Sequence, residues 1–481
     1  MIRPARPSRR SGLRVVPVLA LFLALAAAAP ASGQPEDSPE AGWRALLEEG
    51  AAAVRAGDLA RARELFERAA AAEGADDPQA HLRRAAALNN LGYVLHRLGR
   101  LEEAEAAYRE ALELRRAVTG EDDPGIARIL QNLAEVARSR GQTERAEELH
   151  RRALELHRRL LGGEHPDTAR SLVGLAALEA EHGDHAAARG HLLQALANLE
   201  KSLGPDHPEV VATLSDLAAV AAAAGDLEEA ERRYREALER AEKAGDLPPE
   251  RRAALLVHLA EVLRRAGRGP EAVELLEQAL ELLPEDGRPS ALRARVENDL
   301  GVNLFATGDL ERAAEVLRRA VERCRGLGDV PPELAVAARA NLAGVLTALG
   351  RHAEAAGLLD EALALERRGR NDPRELARLL NDRAVALFDL GRRAEAADTF
   401  REALEAAERA FGPEDPALAP HLTNLATALR ALGREEEAAR VEARLRALGG
   451  DALRPGAALR RPEAAAADGE GGASRPGADQ R

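Results

Sequence analysis

The side chains in this sequence that could do chemistry form a short list. In EHGDHAAARGH, residues 181–191, His182, His185 and His191 stand around one turn and could share a zinc ion with Asp184. The same stretch straddles a break between two helical segments, where polar groups are ordinarily solvated, so no metal site is read there. Cys324 is the only cysteine. It has no disulfide partner within the chain and no histidine at a readable spacing, and it reads as a small buried apolar residue rather than a redox switch. Acidic pairs such as Glu102-Glu103 and Glu228-Glu229 open helices, where the helix dipole favours them, so general acid–base work is not needed to explain them. No Gly-rich phosphate loop, His-Glu-x-x-His or Cys-x-x-Cys is present. Neither an enzyme nor a bound cofactor is expected. What does recur is amide, carboxyl and guanidinium: Asn90, Asn132, Asn341 and Asn424, Asp216, Asp299 and Asp382, and Arg44, Arg128, Arg170, Arg295 and Arg378.

The elements that must position these groups become legible by aligning on one glycine. Gly57, Gly99, Gly141, Gly183, Gly225, Gly267, Gly308, Gly350, Gly391 and Gly433 each separate two helix-period segments, and successive glycines lie 42 residues apart, or 41 in two cases. Seven residues before each, the side chain is Gly or Ala (Gly50, Gly92, Ala134 and onward), and five after it alanine stands in every copy, from Ala62 to Ala438. Alanine recurs twelve after the glycine from Ala69 to Ala403 and gives way to Leu445 in the last copy. Small residues at fixed places in both segments fit a close crossing of two helices. Between copies run turn and helix-start signals such as GEDDPGIA, GGEHPDTA and GPEDPALA. In this frame the asparagines and aspartates above all stand nine residues before a glycine, and the arginines thirteen before. Asparagine inside a helix lowers propensity and competes for backbone bonds, so four at one register need a reason.

Composition agrees with helices alone. The chain is 46% hydrophobic but only 2% aromatic, so burial comes from many small contacts, and period-two runs of β-branched residues are missing. The formal net charge of −13 and the scarcity of aromatics argue against nucleic acid and for a protein partner. Arginine supplies nearly all the basic residues, with Lys201 and Lys243 the only lysines, a bias in keeping with a bacterial, GC-rich origin. At the N-terminus, Arg3, Arg6, Arg9, Arg10 and Arg14 precede VVPVLALFLALAAAAPASG, the order of an export signal, with a cut at Ala29-Pro30-Ala31 or Ala31-Ser32-Gly33. Residues 1–33 are therefore expected to be a signal peptide, or a single membrane anchor if retained, and to direct the protein to the periplasm or outside the cell. SRRSGLR, residues 8–14, also resembles a twin-arginine signal, with Gly12 where a large apolar residue is usual. A short linker at 34–39 leads into the array at 40–448, and 449–481, rich in Gly, Pro and Ala, is expected to be a disordered tail.

The small-residue columns and fixed period resemble the tetratricopeptide repeat family, in its 42-residue variety similar to that of kinesin light chains. The resemblance spans residues 40–448. It implies an all-α, right-handed superhelical solenoid of about ten stacked helix-turn-helix hairpins, with the first helix of each lining a concave face. The charged last copy, EEEAARVEARLRAL at 435–448, reads as its solubilising cap. The family implies that the registers nine and thirteen before the glycine face inward, an asparagine bonding a ligand backbone and a basic residue of the next repeat holding a carboxylate. Asn90 with Arg128, Asn132 with Arg170, and Asn341 with Arg378 match that spacing. In the third copy Gln131 and Glu135 occupy places where the family's carboxylate clamp has a lysine and a second asparagine. The bland alternative is that the asparagines cap or bridge neighbouring helices while the arginines pair with acids across the stack. Gly174, Ala177, Ala180, Ala212, Ala219, Ala222 and Ala223 would form a shallow apolar floor between these groups, or would only tighten curvature. The reading is a monomeric, non-catalytic adaptor that holds a peptide or protein segment on its concave face. The runner-up is a structural part of an envelope complex that uses convex or end surfaces.

Overall fold

A computed structural model describes residues 39–72, 77–245, 247–283, 290–326 and 330–449. The expected export segment, linker residues 34–38 and the tail beyond Gly449 lie outside the described residues. Among those described there are 20 α-helices, one 3-10 turn and no strand. Two compact units divide the array, one ending at Leu247 and one starting at Pro248.

The first unit holds five hairpins: α1 (Pro39–Arg55) with α2 (Leu59–Ala71), α3 (Pro78–Arg97) with α4 (Leu101–Thr119), α5 (Pro124–Ser139) with α6 (Thr143–Leu161), α7 (Pro166–Glu181) with α8 (His185–Leu203), and α9 (Pro208–Ala224) with α10 (Leu227–Ala244). Five more make the second: α11 (Pro249–Arg265) with α12 (Gly269–Leu282), α13 (Ala291–Thr307) with α14 (Leu310–Gly326), α15 (Pro332–Ala348) with α16 (His352–Arg368), α17 (Pro373–Asp389) with α18 (Arg393–Phe411), and α19 (Ala419–Ala431) with α20 (Glu435–Ala447). Inside each unit hairpin partners pack on each other, and the second helix of one hairpin packs on the first helix of the next, as a solenoid requires.

The glycine frame has a backbone cause. All ten turn glycines are left-handed, with φ between +71° and +91°. This lets the residue after the glycine donate back into the helix, as Arg100 N does to Leu95 O at 2.9 Å and Arg351 N to Leu346 O at 2.8 Å. The ten alanines five residues on are completely buried. At the crossing, a Cβ added to Gly50 would lie 2.5 Å from the Phe66 ring and one on Gly92 would lie 2.8 Å from Tyr108, so a large side chain of the second helix rests on bare backbone of the first. Helix starts carry acceptors: Asp123 caps α5 from Gly125 N at 2.7 Å, and the imidazoles His165 and His207 cap α7 and α9 through Nδ1, at 3.1 and 3.2 Å.

Candidate protein-binding face

The odd-numbered helices carry both recurrent registers. Asn132 Nδ2 donates to Asn89 Oδ1 at 2.9 Å, Asn341 to Asn298 at 2.9 Å, and Asn424 to Asn381 at 2.8 Å. Each time an asparagine nine before its glycine reaches an asparagine ten before the preceding glycine, tying one first helix to the last. These bonds are amide staples between repeats. They also orient the accepting amides: half-buried Asn89 gives Oδ1 to the staple and keeps Nδ2 as a donor.

Where the preceding copy offers no amide, the same register lacks the staple. The place facing Asn90 holds Leu47, and Asn90 Nδ2 is buried without a hydrogen-bond partner. For Asp216 that place in the preceding copy is Val173, and burial pushes the Asp216 carboxyl up to about 8. Asp299, opposite Val257, is raised by burial to about 6, with Arg295 at 3.9 Å and the Asn298 amide at 3.1 Å pulling the other way. Asp382, opposite Ala340, has Arg378 Nη1 at 3.4 Å.

The arginines thirteen before the glycine meet acids. Arg170 grips Glu209 of the next first helix with two bonds, at 2.8 and 2.6 Å, and Asp167 at 2.5 Å. Arg378 takes Glu375 and Asp382. Burial lowers the Arg128 pKa, with Asp167 offsetting part of it, Arg44 is half-buried and Arg295 is exposed. Asn132 and Asn341 therefore bond asparagines, while Arg170 and Arg378 bond carboxylates.

Sequence reading missed two features. One is the accepting column, Asn89, Asn298 and Asn381, whose only signal is a polar residue directly before the register residue. The other is a buried network in the third copy: His150 Nε2 lies 3.2 Å from Glu135 Oε1, and Arg138 joins Glu135 at 2.8 Å to Glu181 at 2.8 Å. Burial alone would raise the Glu135 pKa, but His150 and Arg138 hold it down to about 2. Gly174 makes room for this network, since a Cβ there would sit 2.6 Å from His150 Nδ1. Of the expected apolar floor, Gly174, Ala177, Ala219 and Ala222 are buried, Ala180 and Ala212 are half-buried and Ala223 is exposed. Val173 and Ser215 complete the open surface, both half-buried. His191 Nδ1 lies 2.8 Å from Glu179, and Asp184 caps α8; among the described residues no group of His, Cys, Asp or Glu is arranged to hold a metal ion. Cys324 is buried beside Ala294 and Ala335.

Comparison with known proteins bears on what such a face is for. A tetratricopeptide repeat family model matches residues 83–158 and 131–201, and the model of the MalT-like TPR region matches residues 195–461, more than half of the chain. The chain belongs to the tetratricopeptide repeat family. No curated protein matches it. Among solved structures, this tetratricopeptide repeat chain is similar to a signal-transduction ATPase with a tetratricopeptide repeat sensor from Pyrococcus horikoshii. That match has 16% identity over 81% of this chain and 55% of the other, with a TM-score of 0.54. A putative kinesin light chain from Podosopora anserina is 27% identical over 42% of this chain and 96% of its own, with a TM-score of 0.38. BtubC (BKLC) from P. vanneervenii is 22% identical over 51% and 96%, with a TM-score of 0.41. The tetratricopeptide repeat fold generally mediates protein–protein interaction and generally serves as a non-catalytic scaffold.

Proposed function

We propose that this tetratricopeptide repeat protein is a non-catalytic adaptor that holds a peptide or protein segment against its first helices. The observation that carries the reading is the staple at Asn89: it takes up Asn89 Oδ1 and leaves an oriented Nδ2 donor on a partly open helix face, as an extended polypeptide backbone needs. The protein acts as a monomer after export to the periplasm or medium, or anchored through an uncleaved N-terminal segment. Affinity capture from a bacterial envelope extract tests this with the Gln34–Arg481 chain beside two variants that spare every staple, Ala223→Arg and Ala348→Arg, both at exposed positions on first helices. A partner held by the parent and lost from either equally helical variant supports the adaptor. Partners held alike by all three contradict it. A second reading, a structural part of an envelope complex held through other surfaces, is favoured by the exposed turn leucines Leu98 and Leu390.

A further inference from the structure

In the fourth and fifth copies, no hydrogen bond or ion pair among the described residues reaches the Asp216 carboxyl. Asp216 is 8% exposed. Its register points it back at α7, as the Asn132–Asn89 staple shows two copies earlier. In that register the place on α7 holds half-buried Val173 instead of an amide, and Ala180 of α7 and Ala212 and Ser215 of its own helix are half-buried as well. From α10 the titratable neighbour is Tyr234, whose hydroxyl is itself pushed well up by burial and, to a lesser degree, by Asp216. No charged group adds to burial in setting the state of the Asp216 carboxyl. At the mouth, Arg170 and Glu209 are paired with each other. A carboxyl so placed is a costly resident of a small-residue surface unless something visits it.

We propose that the first-helix face of the fourth and fifth repeats takes a partner segment that lays apolar side chains on this floor and inserts one lysine or arginine onto Asp216. A basic side chain suits both halves of the site. Its methylene stem covers Val173, Ala180 and Ala212, while its charged head meets the Asp216 carboxyl. The acidic balance of the whole chain, −13, favours approach by a cationic segment. Because burial holds Asp216 protonated near neutral pH, docking a cation converts it to carboxylate and releases its proton to solvent.

This inference rests on the adaptor reading and deepens it. Its test is titration calorimetry of the full chain at pH 7, in two buffers of different ionisation enthalpy, with short capped peptides of alanine and leucine bearing one central lysine, glutamine or norleucine. The lysine peptide should bind about tenfold tighter than the norleucine peptide and release close to one proton, and Asp216→Asn should erase both differences while keeping its helicity. Equal binding of lysine and norleucine peptides, or of lysine and glutamine peptides, would overturn the role of Asp216 while leaving an apolar docking face in place. Failure of every peptide to bind would overturn the site itself, and the envelope-extract capture would still decide the adaptor reading separately.

Discussion

At the scale of single residues, the least stable arrangements are those where burial and charge oppose each other. The Asp216 carboxyl is raised to about 8 from an ordinary 3.8, so between those values the folded chain binds more protons than the unfolded one, and stability falls as pH rises. Asp216→Asn removes this term and should be the more stable protein at pH 8.5, by at least about 1 kcal/mol, with little difference near pH 4, in urea titrations at both pH values. His421 has the opposite sign. Burial lowers it from 6.5 to about 4, so acidification through that window loads protons onto the unfolded chain first. Relative to His421→Gln, the parent should lose up to about 3 kcal/mol between pH 6.5 and 4, measured the same way. Gly174→Ala drives a methyl into the His150 ring and should cost on the order of 1–3 kcal/mol, read as a lowered thermal midpoint. The identity and spacing of Asn132, Asn341 and Asn424 were readable from sequence, yet their partners were not. Each bond spans 43 residues of chain, and several polar groups of the preceding repeat stand at similar sequence distance, so helix rotation decides which is reached.

At the scale of elements, helix positions follow from local rules, which is why sequence located them well. Glycine at the left-handed turn inside the hairpin, alanine at the crossing, and Asp or His before a proline-led first turn each act within a few residues. How neighbouring first helices are fastened together is less local. Staples join α3 to α5, α13 to α15 and α17 to α19, whereas in α7 and α9 the same two places hold Val173 and Asp216. Asn341→Ala should therefore cost about 1–2 kcal/mol and speed amide hydrogen exchange chiefly in α13 and α15. Uniform exchange changes across the second unit would show that this bond carries no local share. On the even-numbered helices, arginines reach carboxylates of the neighbouring hairpin, as Arg325 does Glu361 and Arg401 does Glu437, at 2.8 and 3.1 Å. The first pair is exposed and the second half-buried, and pairs so open to water are individually worth little.

For the whole molecule, an array whose hairpins touch only their neighbours has a stability that is nearly a sum of local terms, so a lesion stays near its site. The repeat count and helix-only class were legible because a unit of 42 or 41 residues recurs in ten copies; the division at Leu247 and Pro248 was not, since composition does not change there. Function at this scale is the use of one face over another. Hydrogen exchange by mass spectrometry on the full chain, free and with its captured partner, measures that directly. The account predicts slowed exchange in first helices, foremost α3, α7 and α9, with the even-numbered helices unchanged. Protection confined to even-numbered helices or to the turns at Leu98 and Leu390 would contradict it.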